Sequence, residues 1–155
     1  MQNLNVRKAR ITDIKQIQTL INYFADKDLM LSRSLNELYE NLRDFWVYED
    51  NKKIIGCAAL HISWEDLAEI KSLAVHKDFQ NKGIGQELIS HCIKEAKEMG
   101  AGRVFVLTYQ FKYFRKLGFK RVKHEDLPHK IWAECINCPK FPNCQEVALV
   151  KNIAK

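Results

Sequence analysis

The amino-acid sequence predicts one domain, residues 1–155, of the α/β (α+β) class, with a mixed central sheet flanked by helices. The first observation is the length, because 155 residues fall within the roughly 100–200 residues of an ordinary domain. The second is the composition, since 46% hydrophobic and 28% charged residues are typical of a globular chain. The third is the order of the segments, because strand patterns and helical periodicity are mixed along the chain.

The first predicted elements are a strand and two helices. Leu4–Ala9 predicts a short strand, and Thr12 can cap the helix that follows it. Ser34 and Glu37 form a capping-box pattern, which predicts a second helix after an intervening loop. The apolar positions at helical spacing are Ile14, Ile17, Ile21 and Phe24 in the first helix, and Leu35, Leu38 and Leu42 in the second.

Three runs rich in strand-forming residues come next. Phe45–Tyr48 and Ile54–Leu60 are joined by a polar turn, which predicts a hairpin, and Ala68–Val75 predicts a third strand. That strand leads through Gln80–Gly85 into a strongly amphipathic helix, which Gly100 ends. The apolar side of this helix consists of Ile84, Leu88, Cys92, Ile93 and Ala96.

The last part of the chain predicts three strands and a short helix. Phe111–Leu117 is the helix, and Gly118 stops it. Residues 124–144 have an irregular pattern. The predicted strands are Val104–Leu107, Phe119–Val122 and Val147–Val150.

The charge balance is basic. The chain has 25 Lys+Arg and 19 Asp+Glu, a formal net charge of +6. This excess fits a nucleic acid, a phosphorylated cofactor or an acidic metabolite, and it equally fits a well-solvated surface. No apolar run approaches the roughly 20 residues of a membrane helix, and the N-terminus lacks the apolar stretch of a signal peptide. We therefore expect a soluble, cytoplasmic protein that does not act at a membrane.

The strand–turn–helix unit of residues 68–96 is the most informative segment. Gly83 and Gly85 allow a close approach of the backbone to a ligand. The unpaired N–H groups at the start of the helix form an anion site with the helix dipole, and Lys82 adds a positive charge. This arrangement suits a pyrophosphate, while an ordinary glycine turn is the structural alternative. The pattern is neither G-x-G-x-x-G nor a Walker loop, because a third glycine and a Lys-Ser/Thr pair are missing.

Three segments occur in a characteristic order: Glu69–Val75, Gln80–Gly85 and Tyr113–Phe119. They resemble the central strand, the Q/R-x-x-G-x-G/A motif and the late Gly-Phe helix of the GNAT superfamily of acetyl-CoA-dependent N-acetyltransferases. Further segments resemble the acetyltransferase domain of N-acetylglutamate synthases, which acetylate glutamate at the start of arginine biosynthesis. These segments are Leu31–Ser34, Gly56–Leu60, Phe105–Thr108 and Leu127–Pro128. Because 155 residues leave no room for the kinase-like domain of many bacterial members, we expect a short stand-alone form.

The resemblance implies that acetyl-CoA is the co-substrate. The pyrophosphate would lie against the glycine turn, and the pantetheine arm would pair with the backbone of the central strand. The implied cofactor-binding residues are Leu73, Ala74, Val75, Gln80, Asn81, Lys82, Gly83, Ile84, Gly85 and Gln86. The strand residues can also be plain buried sheet residues, and both interpretations hold together because the contact uses backbone.

Acetyl transfer to an amine needs a base, because an α-amine with a pKa near or above about 8 is mostly protonated at neutral pH. Glu69 is the candidate, since strand periodicity places it with Lys71 on the face opposite Ile70. A carboxylate in an apolar strand is costly unless it is paired or solvated. Its position in the family supports the catalytic role, with proton removal directly or through a water. The alternative is a Glu69 that faces water at a sheet edge.

The leaving thiolate can be protonated by an acid. Many family members have a Tyr four residues before the Gly of Gly-Phe, but this chain has Phe114 there, as the synthases do. Tyr113 is the candidate acid, with Tyr109 and Thr108 as further hydroxyl groups. A Tyr in an aromatic helix is also a common core residue.

An acidic amino-acid substrate has two carboxylates to be recognised. Arg33 can hold one in a bidentate pair, and the resemblance supports this because the x-R-S pattern recurs there. Lys71 can hold the other or tune the base, and Ser34 and Thr108 complete the predicted substrate contacts. The alternatives are a solvated Arg33 and a Lys71 that pairs with Glu69.

The five cysteines fall into two groups. Cys57 and Cys92 lie in apolar patterns and predict core residues, and the odd number without a secretory signal argues against a disulfide framework. The others form C-x2-C-x5-C, which could bind zinc with a histidine, form one oxidised pair or remain free thiols. The family's chemistry needs no metal. The clustered cysteines are Cys135, Cys138 and Cys144, with His124 or His129 as the fourth ligand.

Other functions stay open at this point. The acceptor can be glutamine, another amino acid, a polyamine or a protein amine, although the basic Arg33 and Lys71 argue against a polyamine. A non-catalytic acyl-CoA sensor or nucleic-acid binder is the alternative class. The stretch YQFKYFRK has the composition of an RNA-binding surface, but its helical spacing and Gly-Phe ending favour the acetyltransferase. The expected partners are acetyl-CoA and a small amino acid, not nucleic acid, with a homodimer possible.

Overall fold

The computed structural model describes residues 5–128 and 147–154. Their strands form a mixed seven-stranded sheet in the order β1-β2-β3-β4-β5-β7-β6. The strands are β1 Val6–Lys8, β2 Phe45–Asp50, β3 Lys53–Trp64, β4 Leu67–Val75, β5 Arg103–Thr108, β6 Lys120–Val122 and β7 Val147–Asn152. The helices are α1 Ile14–Ala25, α2 Leu35–Glu40, α3 Ile84–Glu98 and α4 Phe111–Lys116. The predicted mixed α/β class is confirmed. The chain forms two compact units that share β4, and each is described separately.

The first unit contains residues 5–61 and 70–95. Strand β2 pairs antiparallel with β1 and with β3, and the predicted hairpin between β2 and β3 is present. Asn51 and Lys52 in its turn both have positive φ, the conformation that matches the twist of a two-residue hairpin. A core of α1, α2 and the strands lies beside this sheet. Its buried residues are Ile14, Ile17, Leu20, Ile21, Leu38, Phe45, Val47, Ile54, Cys57, Ala59 and Ala74.

The start of α1 differs from the prediction. Thr12 lies inside a 3-10 turn, Ile11–Asp13, and α1 begins at Ile14. Asp13 organises this start, because its carboxylate accepts the backbone N–H of Arg10 at 2.8 Å and a side-chain N–H of Arg7 at 2.7 Å. The prediction of Thr12 as the cap was wrong, since a carboxylate that also pairs with β1 is the stronger acceptor.

Helix α3 lies close to β3. A Cβ added to Gly56 would be 3.1 Å from Leu88 and 3.2 Å from Ile84, so any larger residue would require these side chains to shift by a few tenths of an ångström. Cys57 on β3 and Cys92 on α3 are both fully buried, which confirms the two predicted core cysteines.

The second unit contains residues 62–69, 96–128 and 147–154. The start of β4 pairs parallel with β5, which pairs antiparallel with β7, and β7 pairs antiparallel with β6. Phe114 of α4 packs edge-to-face against Phe119, with the ring centroids 5.4 Å apart. This contact connects the short helix to the strand that follows it. The buried core consists of Leu67, Phe105, Leu127 and Ala148.

Some predictions lie outside the described residues, namely the roles of Cys135, Cys138, Cys144 and His129. Within residues 5–128 and 147–154, no group of His, Cys, Asp or Glu side chains is arranged to hold a metal ion. In the same ranges, no helix has both the length and the apolar character needed to span a membrane.

Candidate active site

The glycine turn after β4 is held by the side chain of Gln80. Its amide group donates to the carbonyl of Val75 at 3.0 Å, which fixes the turn to the end of the strand. Asn81 has φ +63° and Gly83 has φ +84°, so the backbone turns through the left-handed region twice. Such dihedrals suit Gly and Asn better than other residues. Thus Gln80 and Asn81, predicted to contact the cofactor, build the shape of the turn.

The first residues of α3 present free backbone donors. The carbonyl of Gly83 accepts the N–H of Glu87 at 3.0 Å, so Gly83 is the N-cap of the helix. The N–H groups of Ile84, Gly85 and Gln86 therefore lie in the first turn, where a helix leaves donors unpaired. A Cβ at Gly83 would meet no atom within 4 Å, so the space at this residue is open. The turn therefore fits an anionic group that binds backbone donors.

Lys82 lies at the centre of this turn and is exposed. Its ammonium group is 5.4 Å from the centroid of the Phe79 ring. This distance is within the range of a cation–π contact, which places the positive charge at the turn. Within residues 5–128 and 147–154, Lys82 forms no ion pair, so binding of an anion by Lys82 stays a prediction.

The second half of β4 is irregular. Ser72 has φ +56°, an unusual value inside a strand. The buried thiol of Cys57 donates to the carbonyl of Ser72 at 3.4 Å. Ala74 is buried, and Leu73 and Val75 are half-buried. These three residues belong to the sheet, as the sequence analysis allowed beside their proposed role in binding the cofactor. Their backbone follows directly after the irregular residue.

Glu69 is a buried carboxylate. Its residue is 8% exposed, and it pairs in register with Phe105 of β5. Strand β4 lies between β3 and β5 in the sheet order, so it is not an edge strand. The alternative of a Glu69 that faces water at a sheet edge is therefore wrong. Lys71, two residues along, is half-buried.

Tyr113 and Phe114 have different surroundings on α4. Phe114 is buried and packs on Phe119, so this position serves the core. Tyr113 is half-buried, and its ring meets Phe114 edge-to-face at 5.3 Å. Burial raises the pKa of the Tyr113 hydroxyl, so the group stays protonated at neutral pH. A protonated hydroxyl is the form that a general acid requires.

Thr108 ends β5 and leads into α4. Its hydroxyl accepts the backbone N–H of Gln110 at 2.9 Å, which closes the turn before the helix. The sequence predicts Thr108 as a substrate contact, but the hydroxyl has this local structural partner as well. A hydroxyl oxygen retains a donor proton for another group.

Arg33 precedes α2 and is held on both sides of its backbone. Its carbonyl accepts the side chain of Gln18 at 3.1 Å, and its N–H donates to Asn22 at 3.4 Å. The guanidinium contacts Glu37 at 3.4 Å. Ser34 caps α2 by accepting the backbone N–H of Glu37 at 3.1 Å, as the capping-box pattern predicts. The alternative of a simply solvated Arg33 is wrong, because the side chain is half-buried and paired.

The structure brings together two groups of predicted residues in the first unit. One is the end of β4 with the glycine turn, and the other is Arg33 with Ser34. Sequence reasoning missed Cys57 as a partner of β4, and it missed the left-handed Ser72. No local pattern signals either one, because the contact joins residues on different strands.

Known proteins similar to this chain share one family. The model of the acetyltransferase (GNAT) family matches residues 11–119. An uncharacterized N-acetyltransferase of Chlorobaculum tepidum is 40% identical over 148 residues, which are 96% of this chain and 96% of that protein. An amino-acid acetyltransferase of Mycobacterium tuberculosis is 34% identical over 132 residues, 83% of this chain and 75% of that protein.

A solved structure extends the similarity to the fold. The N-acetylglutamate synthase of Neisseria gonorrhoeae, complexed with coenzyme A and N-acetyl-glutamate, matches with a TM-score of 0.90 and 28% identity. The match covers 100% of this chain and 36% of that chain. The architecture described above is therefore the architecture of part of that synthase.

Proposed function

Because this chain belongs to the acetyltransferase (GNAT) family, we propose that it acetylates the α-amine of an amino acid and that L-glutamate is the acceptor. The protein is an N-acetyltransferase with acetyl-CoA as its co-substrate. Acetylation of glutamate would place it at the first step of arginine biosynthesis. The similarity to proteins named amino-acid acetyltransferase and to an N-acetylglutamate synthase supports this acceptor.

Strand β4 carries the proposal. It contains the buried carboxylate of Glu69, and the segment that follows it in the chain forms the turn at Gly83. The strand thus carries a candidate base, and it is followed by a turn that can bind phosphate. The reaction needs both, one for the acceptor amine and one for acetyl-CoA. The open space at Gly83 and the free donors of α3 support binding of a pyrophosphate by backbone.

The chain's own groups can perform the proton transfers. When bound, acetyl-CoA supplies an activated thioester. Glu69 accepts the proton of the substrate ammonium group at a carboxylate oxygen, directly or through a water, so the amine becomes nucleophilic. Tyr113 donates its hydroxyl proton toward the leaving sulfur, since a phenol is protonated at neutral pH, although burial raises its pKa and makes it a weaker acid. A thiol with a pKa of roughly 8.5 makes this second step the less demanding one.

Recognition of the acceptor rests on positive charge. The guanidinium of Arg33 contacts an exposed carboxylate, that of Glu37, at 3.4 Å, so it can exchange this partner for a substrate carboxylate. The hydrogen bonds to Gln18 and Asn22 hold the backbone of Arg33 while the side chain exchanges partners. Lys71 is the second cation in the proposal and Ser34 and Thr108 are the polar contacts.

Thiol release from acetyl-CoA tests the function. Purified protein is supplied with acetyl-CoA and, in turn, each of the twenty amino acids and spermidine, and the product is identified by mass. We expect the fastest release with glutamate and a product of glutamate plus one acetyl group. Equal release with every amine and with none would reject the acetyltransferase, and a clearly faster amino acid other than glutamate would reject the acceptor alone.

A further inference from the structure

Ser72 has a conformation that its position in β4 does not favour. Among the described residues, five non-glycine residues have positive φ, and Ser72 is the one that lies inside a strand. The other four lie in turns and loops. A left-handed residue bends the backbone of a strand, as at many β-bulges, and we call this bend at Ser72 the bulge of β4. Such a conformation persists only when the surrounding structure holds it.

The thiol of Cys57 lies at this bulge. Its S–H donates to the carbonyl of Ser72 at 3.4 Å. Cys57 is fully buried on β3, the neighbour of β4 in the sheet. One side chain of the neighbouring strand therefore holds the backbone of the left-handed residue directly before Leu73.

The protonation state of Cys57 fits this role. Burial raises the pKa of the Cys57 thiol to about 12, so the sulfur keeps the proton that it donates to Ser72. Cys92 provides a natural comparison, because its thiol is as deeply buried and its pKa is also raised by burial. Among residues 5–128 and 147–154, the thiol of Cys92 has no hydrogen-bond partner.

We propose that Cys57 is a positioning residue for acetyl-CoA, because its thiol holds the bulge of β4 and thereby orients the backbone of Leu73. This inference rests on the proposed function, in which the backbone of Leu73 to Val75 binds the pantetheine arm. Cys57 itself is fully buried and acts only through the strand. Without the thiol, the strand would sample flatter conformations in which the Leu73 peptide points elsewhere.

Four variants separate positioning from packing. Cys57→Ala removes the hydrogen bond to Ser72, Cys57→Val removes it and refills the volume, and Cys57→Ser restores a donor and an acceptor. Cys92→Ala is the matched control, since it deletes an equally buried thiol outside the bulge. For each variant, the KM for acetyl-CoA, kcat, the Kd for CoA by calorimetry, and the amide exchange rate of Ala74 are measured.

We expect Cys57→Ala and Cys57→Val to raise the KM for acetyl-CoA and the Kd for CoA about 3- to 10-fold, as loss of one hydrogen bond predicts. Their kcat should change less than about twofold, and exchange at Ala74 should accelerate at least about tenfold. Cys57→Ser should stay within about threefold of the unchanged protein in KM, and Cys92→Ala should not alter it. These values follow from a role in orienting the strand.

Several results would overturn the proposal. They are an unchanged KM and Kd in Cys57→Ala, an equal increase in Cys92→Ala, or a Cys57→Ser variant as impaired as Cys57→Val. The Kd keeps this test separate from the proposed function. If the unchanged protein binds CoA but transfers acetyl to no amine, the function fails while the Kd series still decides the role of Cys57. If the protein binds no CoA, both fail.

Discussion

The pairing of Arg33 with Glu37 leads to the most specific prediction about acceptor recognition. The two side chains lie four residues apart at the start of α2, with 3.4 Å between a guanidinium nitrogen and a carboxylate oxygen. The side chain of Glu37 is 51% exposed and that of Arg33 is 26% exposed. An exposed pair at this spacing stabilises by about 0.3–0.5 kcal/mol. A substrate carboxylate must overcome only this small energy to replace Glu37.

The two substitutions therefore have opposite effects. Glu37→Gln removes the internal competitor, and about 0.4 kcal/mol corresponds to a KM for glutamate lower by about twofold. Arg33→Gln removes a charge-assisted bond of about 1.5–3 kcal/mol, less the same competing energy, so the KM for glutamate should rise about 6- to 80-fold. Neither change should move the KM for acetyl-CoA by more than about twofold.

Initial rates of thiol release, with glutamate varied at saturating acetyl-CoA and then the reverse, measure both constants. Asn36→Ala is a control, because it changes an exposed residue of α2 without changing a charge. The reasoning is refuted if Arg33→Gln leaves the KM for glutamate within about twofold, or if Glu37→Gln raises it. An equal rise of both KM values in Arg33→Gln would indicate a folding defect, and the unfolding temperature would show it.

Three further predictions concern catalysis, the turn and stability. Glu69→Gln should lower kcat by about 100-fold or more at neutral pH and leave the KM for acetyl-CoA unchanged. The reason is that general-base catalysis contributes a factor of about 10²–10⁴ to the rate. An unchanged kcat would remove Glu69 from this role. Gly83→Ala places a side chain at φ +84°, which costs about 1–2 kcal/mol although the space is open, and the KM for acetyl-CoA should rise about 5- to 10-fold. A wild-type KM in steady-state assays would contradict this. Asp13→Asn should lower the free energy of unfolding by about 1.5–3 kcal/mol in urea titrations, because it removes one of the two carboxylate partners of Arg7, the other being Glu49. A loss below about 0.5 kcal/mol would contradict it.

Asp13 also gives stability a pH dependence. Burial raises the pKa of its carboxyl, but the hydrogen bonds from Arg7 and from the backbone of Arg10 outweigh burial and hold the pKa below its usual range. A carboxyl with a lowered pKa in the folded state contributes stability that is fully present above the unfolded pKa. That contribution is lost as the pH falls through the folded pKa. We expect Asp13→Asn to flatten the acid side of the curve of unfolding temperature against pH.

Most of the secondary structure was predictable because its signals are local. Hydrophobic periodicity marks α1 and α3, and alternating or β-branched runs mark the strands, within a few residues of the observed ends. The capping box at Ser34 involves residues only three apart, so its hydrogen bond was foreseen correctly. Thr12 was misjudged because the choice between it and Asp13 depends on Arg7, which belongs to another element.

The candidate site was predictable where its shape depends on residues that are close together in the sequence. The turn from Gln80 to Gly83 has this character, since its glycine and its polar side chain both act within a few residues. The environment of Glu69 was not decided by periodicity, because the alternation of a strand does not say whether the strand lies at an edge or inside a sheet. The observed sheet order excludes the exposed alternative.

The sequence by itself determined the class of fold and the position of the glycine turn, and it predicted the residues for acetyl transfer. These features depend on composition, periodicity and contacts between neighbours in the chain. Only the tertiary structure decided that Glu69 is buried, that Arg33 already has a carboxylate partner, and that the thiol of Cys57 contacts the carbonyl of Ser72. The burial of Glu69 and the contact of Cys57 are set by pairing between different strands. Arg33 and Glu37 are near neighbours, but their contact depends on rotamers that a residue pattern does not specify.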